Sequence, residues 1–218
     1  MIPVKICGIT SCEDAEIAVN YGASAIGMIF YEGSPRYIYP DKAEVLISAI
    51  PEKVKKVGVF VNEKLKNIKT IVEELDLDFI QLHGDESPEY CDKMIKPVIK
   101  AFRVGTDFDS AVLGNFQVHA FLFDTYQKGK PGGTGKSLNW DLISDLQTDT
   151  PIILSGGLNS ENINEGIKTV KPSAIDVNSG VESEPGIKDK VKVEKLFDTI
   201  ENSKHITSEC SVFSGEFS

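Results

Sequence analysis

Short apolar runs alternate with segments whose apolar residues recur at helical spacing, from the first residues to about position 200. Eight runs read as buried strands: 4–7, 25–30, 56–61, 79–82, 98–103, 120–124, 152–155 and 174–177. Between them lie amphipathic stretches. Leu65, Ile68, Ile71, Val72 and Leu75 mark one apolar stripe, and Val193, Leu196, Phe197 and Ile200 mark another. Ser11 with Asp14 three residues on, Ser87 followed by Pro88, and Asn159 before Ser160-Glu161 read as helix N-caps. Strands that are apolar on both faces and each followed by a helix imply a parallel sheet. A doubly wound open sheet would look the same locally. Eight such units, with no dinucleotide-type G-x-G-x-x-G after the first strand, favour the α/β class in its closed form, a single (β/α)8 TIM barrel of eight parallel strands.

The length of 218 residues suits one domain, and no internal boundary interrupts the alternation. The barrel is expected over 1–202. The Ser-rich segment 203–218 lacks periodicity and is expected to be a loosely held tail. A net charge of −10 argues against a nucleic-acid or anionic-membrane partner, since both need a basic face. It also opposes an anionic substrate at long range, so any phosphate must be held by local dipoles and a few placed cations. No apolar stretch approaches the roughly 18 residues needed to span a bilayer. The start of the chain lacks the apolar region of a secretory signal. The four cysteines, Cys7, Cys12, Cys91 and Cys210, have no metal-type spacing. A cytoplasmic protein with reduced thiols and no metal is the expectation.

Three glycine-rich stops change the picture. Gly132-Gly133-Thr134-Gly135-Lys136, Ser155-Gly156-Gly157 and Asn178-Ser179-Gly180 each follow an apolar run, between an expected strand and an expected helix. Glycine lets backbone amides approach an anion, and a helix start favours phosphate there. Three such stops in successive units predict a phosphorylated small-molecule ligand, held by Gly133, Thr134, Gly135, Gly156, Gly157, Ser179 and Gly180.

Working side chains of a barrel stand at the C-terminal ends of its strands. Those positions hold Cys7, His83, Asp124 and Asp176, and Arg36 lies in the loop 31–39 after the second strand. Strand alternation puts Lys5 on the same side as Cys7. A nearby ammonium is expected to raise the thiolate fraction and make Cys7 a usable base or nucleophile. Apolar neighbours of Asp124 favour the protonated carboxyl that a general acid requires. Asp176 interrupts an apolar strand and needs a partner. Lys5, adjacent once the barrel closes, is one, and a substrate hydroxyl is the other. His83 is either a substrate contact or a hydrogen-bonded scaffold group. Arg36 offers a bidentate fork for a carboxylate. The loop 126–130 has the length and glycine content of a lid.

The set Val4-Lys5-Ile6-Cys7-Gly8, Ser34-Pro35-Arg36, Gln81-Leu82-His83-Gly84, Phe123-Asp124-Thr125, Gly132-Gly133-Thr134-Gly135-Lys136, Leu154-Ser155-Gly156-Gly157 and Asp176-Val177-Asn178-Ser179-Gly180-Val181-Glu182 resembles the phosphoribosylanthranilate isomerase family along nearly the whole barrel. The resemblance implies an Amadori rearrangement of N-(5′-phosphoribosyl)anthranilate (PRA) to 1-(2-carboxyphenylamino)-1-deoxyribulose 5-phosphate, without metal or redox cofactor. It implies Asp124 as the acid, Cys7 as the base, Arg36 on the anthranilate carboxylate and the glycine loops as the phosphate cup. The chain departs from the family at Asn178, where a serine is common. An imidazole-pathway isomerase would pair two carboxylates, and the first strand here ends in cysteine. Metal-dependent epimerases need several strand-end histidines, whereas the chain has three histidines in all. The catalytic lysine and glutamate set of indole-glycerol-phosphate synthase is not recognisable here. A ligand-binding barrel without catalysis would be expected to lack the acid or the base. The expected partner is a phosphorylated sugar, and the expected assembly is a monomer or homodimer.

Overall fold

The computed structural model describes residues 1–105, 108–124, 140–203 and 212–213. Eight parallel strands pair in chain order and close: β1 (Val4–Cys7), β2 (Ala25–Ile29), β3 (Lys55–Phe60), β4 (Phe79–Leu82), β5 (Val98–Arg103), β6 (Ala120–Asp124), β7 (Ile152–Ser155) and β8 (Ala174–Val177). The β1–β8 pairing excludes the open sheet, and its register sets Lys5 beside Asp176. Six strands have the expected limits. β2 stops one residue early and β3 is displaced by one, because an apolar run does not mark where ladder hydrogen bonds end.

The helices are α1 (Cys12–Asn20), α2 (Pro40–Ile47), α3 (Leu65–Glu74), α4 (Pro88–Cys91), α5 (Asp141–Ser144), α6 (Ile163–Val170) and α7 (Lys190–Asn202). Ser11 and Ser87 cap α1 and α4, accepting from the amides of Asp14 and Tyr90. The third cap falls elsewhere. Asn159 accepts from the Glu161 amide at 2.8 Å, but that closes a turn, and α6 begins only after Asn162. Asparagine side chains stabilise turns as readily as helix starts, which explains the difference. After β8 the chain makes a 3-10 turn (Ser179–Val181) and a small antiparallel hairpin of β9 (Glu182–Glu184) and β10 (Ile187–Lys188) before α7.

Alternation along each strand divides the core in two. Val4, Ile6, Ile26, Met28, Ile80 and Leu82 point outward into one apolar layer shared with buried helix residues such as Ala18, Ile68, Ile167 and Leu196. Ala25, Val57, Phe79, Ile99, Ala120, Leu122, Ile153 and Ala174 fill the barrel itself. Ala25, Phe79, Ala120 and Ala174 begin their strands and so form the floor. Three of these four are alanines, and the space they leave is entered by the chain's own later residues. Val212 and Phe213 are buried there; the Phe213 ring meets Phe79 edge-on at 5.8 Å, and His119 Nε2 donates to the Val212 carbonyl at 2.8 Å. Together with Ser203, these two are the described residues of segment 203–218.

Candidate active site

The opposite end of the barrel, where the strands finish, carries the chemistry. On β1 the inward positions are Lys5 and then Cys7, both buried. Such bulk inside a barrel requires space on the neighbouring strand, which Gly27 of β2 supplies. A Cβ there would lie 2.8 Å from Cys7 Sγ and 3.0 Å from Lys5 Nζ. Lys5 Nζ donates to Asp176 Oδ1 at 2.7 Å, with side-chain exposures of 0% and 5%. Ser155 Oγ at the tip of β7 donates to the other oxygen, Oδ2, at 3.2 Å. Asp176 is therefore tied into the scaffold from both sides, the Lys5 partnership being one of the two alternatives its sequence position allowed. Burial works against the Lys5 charge, but the charges of Asp176 and Cys7 outweigh it and hold the lysine above its ordinary range.

The same surroundings correct the expectation for Cys7. The thiol is pushed up, not down: burial disfavours the thiolate and the Asp176 charge adds to that, outweighing the Lys5 and Lys188 ammoniums. A sequence shows the neighbouring cation but not the depth at which the sulfur sits.

Arg36 is also more occupied than a loop arginine suggests. Its Nε donates to Glu182 Oε1 at 2.9 Å and its Nη2 to Oε2 at 2.6 Å, so one edge of the fork is already taken by a carboxylate of the protein. That bond raises the Arg36 pKa above its ordinary value.

Across the mouth, Asp124 ends β6 on the inward-facing series of Ala120 and Leu122, half-buried. His83 follows β4, and its Nε2 lies 3.6 Å from Asp124 Oδ2, with exposures of 21% and 24%. Gln81 Nε2 donates to His83 Nδ1 at 2.9 Å. With the Gln81 amide in this orientation, a neutral His83 carries its proton on Nε2, facing Asp124. A buried pair fixes the turn that follows: Lys100 Nζ donates to Glu86 Oε2 at 2.9 Å and to the Gly84 carbonyl at 2.7 Å. Glu86 also accepts from the Asn62 and Gly84 amides.

Two of the three glycine stops are described. Gly156 and Gly157 follow β7 at φ +95° and +66°, in the left-handed region that glycine enters without strain. Ser179 and Gly180 open the turn after β8. A Cβ on Gly180 would collide with the Leu158 carbonyl, so the two turns pack directly on each other. Gly133, Thr134 and Gly135, like the loop 126–130, lie outside the described residues. Glu182, Lys188, Gly27 and Ser155 were not assigned roles from sequence. Glu182 and Ser155 stood inside quoted motifs, while Lys188 and Gly27 carried no local signal. Among the described residues, no group of three or more His, Cys, Asp or Glu side chains is placed to hold a metal ion.

A closed barrel whose strand tips gather a thiol, a carboxyl and an imidazole, with a loop guanidinium and two glycine turns beside them, has the build of a TIM-barrel enzyme. A family model for N-(5′-phosphoribosyl)anthranilate (PRA) isomerase matches residues 4–199, and the chain belongs to that family. It is 44% identical over 196 residues to the N-(5′-phosphoribosyl)anthranilate isomerase of Geobacter sulfurreducens, covering 90% of this chain and 97% of that one. Its fold superposes on the phosphoribosyl anthranilate isomerase of Thermotoga maritima with a TM-score of 0.81 at 38% identity, covering 92% and 99% of the two chains. A phosphoribosyl anthranilate isomerase in complex with reduced 1-(o-carboxyphenylamino)-1-deoxyribulose 5-phosphate matches with a TM-score of 0.78 at 37% identity, again covering 92% and 99%. Family membership makes the chain an isomerase of tryptophan biosynthesis.

Proposed function

We propose that Cys7 and Asp124 divide the proton transfers of PRA isomerisation between them. The observation that carries this reading is their placement: both end inward-facing positions at the same mouth, three strands apart around the wall, beside the glycine turns of β7 and β8. Asp124, as a carboxylic acid, gives its proton to the furanose ring oxygen. The C1′–O bond breaks while the anilino nitrogen lone pair forms the C1′=N bond. The Cys7 thiolate then takes the C2′ proton, and the released electron pair makes the C1′=C2′ bond of an enolamine and returns a pair to nitrogen. Tautomerisation, with a proton moving from the C2′ hydroxyl to C1′, gives the ketone. Each proton transfer by a placed group is worth about 100- to 10,000-fold.

In this reading Gly156, Gly157, Ser179 and Gly180 hold the phosphate through backbone amides, joined by Gly133, Thr134 and Gly135. Arg36 receives the anthranilate carboxylate, and His83 lies against the substrate beside Asp124. Asp176, with Lys5 and Ser155 already on it, is left to accept from a ribose hydroxyl with its remaining lone pairs. The acidic balance of −10 suits a small-molecule substrate better than nucleic acid, and tryptophan biosynthesis suits a cytoplasmic setting. Among the described residues no helix is long and apolar enough to cross a membrane.

The test is conversion of freshly made PRA, followed by loss of its fluorescence. Cys7→Ala and Asp124→Asn should each lower kcat about 100- to 10,000-fold while binding of the reduced product analogue stays near wild type. Because burial raises the Cys7 thiol, wild-type kcat/KM should climb with pH into the thiol range. Mild, equal losses in both variants would overturn the assignment.

A further inference from the structure

The hairpin after β8 holds a buried charge cluster that the proton transfers above do not use. Glu182 Oε1 accepts from Arg36 Nε at 2.9 Å, from Lys188 Nζ at 2.8 Å and from the Gly186 amide at 3.2 Å, while Oε2 accepts from Arg36 Nη2 at 2.6 Å. Lys188 is fully buried and also donates to Asn178 Oδ1 at 3.1 Å. The Arg36 stem crosses Gly8, where a Cβ would stand 2.7 Å from Arg36 Cδ and from Asn178 Oδ1. The cluster thus abuts Cys7 and ties the loop after β2 to the hairpin after β8. Among the described residues, Arg36 Nη1 makes no hydrogen bond.

We infer that Glu182, backed by Lys188, is a positioning residue that fixes one edge of the Arg36 guanidinium so that its other edge meets the substrate carboxylate. This rests on the reading of Arg36 given under the proposed function. An arginine on a surface loop has many rotamers, and holding it before substrate arrives removes the ordering that binding would otherwise require. Charge makes the second argument. Arg36 and Glu182 alone would form a neutral pair with little pull on an anion. Burial lowers the Lys188 pKa below the ordinary lysine value while its bond to Glu182 works the other way. In its charged form Lys188 gives the trio one net positive charge, so Glu182 can grip Arg36 without cancelling its attraction for a carboxylate. Burial works against the Glu182 charge, yet Arg36 and Lys188 hold its pKa below the ordinary carboxylate range.

The experiment compares two ligands on the full chain. One is the reduced 1-(o-carboxyphenylamino)-1-deoxyribulose 5-phosphate, and the other is the same compound without its ring carboxylate. Glu182→Gln adds a net positive charge to the trio but releases the guanidinium; with positioning the larger of the two effects, it should weaken the carboxylated ligand about 10- to 100-fold, leave the carboxylate-free ligand unchanged, and raise KM more than it lowers kcat. Glu182→Asp should recover part of the loss. If Glu182→Gln folds poorly, Lys188→Met puts the same question, because it removes the restoring charge and should also weaken only the carboxylated ligand. Equal weakening of both ligands, or of neither, overturns the inference. Arg36→Ala separates the two ideas. If it abolishes the preference for the carboxylated ligand while Glu182→Gln and Lys188→Met do not, only the positioning role fails. If it leaves the preference intact, the assignment of Arg36 itself fails.

Discussion

On the β1–β8 side of the mouth, Lys5, Asp176, Glu182 and Lys188 are buried and bonded to one another or to Arg36 and Ser155 at 2.6 to 3.2 Å. On the β4–β6 side, His83 and Asp124 are each more than a fifth exposed and stand 3.6 Å apart. The first side is sealed by these bonds, whereas the second is more open to solvent, although Gln81 holds His83 from behind. Under the proposed assignment the two tasks fall on different surroundings. Taking the proton from carbon is left to Cys7, among bonded groups where Lys5 and Lys188 offset only part of the burial that disfavours its thiolate. Protonating the ring oxygen is left to the more exposed Asp124.

The largest effect expected from this contrast is on stability. Lys5→Met leaves the Asp176 carboxylate buried with Ser155 as its remaining side-chain partner, and breaking a buried pair this way costs about 3–5 kcal/mol. Chemical denaturation should show it, and a loss below about 1 kcal/mol would mean that the β1–β8 side is not the rigid half. A smaller effect concerns pH. Glu182 has a lowered pKa in the folded state, so its contribution to stability is complete above about pH 4.3, the ordinary glutamate value, and disappears as pH falls through the lower folded value. The stability gap between wild type and Glu182→Gln should therefore be widest near neutral pH and narrow below pH 4. A gap that widened on acidification would contradict the sign. A lesser effect is expected on the open side: His83→Ala should cost about 1–3 kcal/mol, because it strips the buried Gln81 amide of its partner, while the partly exposed 3.6 Å contact with Asp124 contributes little. A larger change in the same denaturation experiment would erase the difference between the two halves.

The fold was legible because each strand announces itself twice, by a continuous apolar run and by the helical stripe that follows. The strands β1 and β4 to β8 could be bounded to the residue. Closure could be inferred from the number of units, and with it the neighbourhood of Lys5 and Asp176, which are 171 positions apart. What could not be read was the balance of opposing forces at one atom. Lys5 beside Cys7 suggested a lowered thiol pKa, and burial reversed the sign. The partner of Arg36 was equally hidden, since Glu182 lies 146 residues away on a hairpin too short for any periodic signal. Gly27 looked like an ordinary residue of an apolar strand. Only the bulk of two side chains on the neighbouring strand explains why it has no Cβ.

Val212 and Phe213 act as a stopper seated in the base of the ring. A shortened gene that stops after the last helix, at Asn202, is the obvious choice for a minimal version of the enzyme. It would keep every strand tip and every group at the mouth, yet leave the alanines of the underside facing an uncorked hollow. The proper end point for such a truncation therefore lies beyond Phe213, and the final helix does not mark where the structural work of the chain is finished.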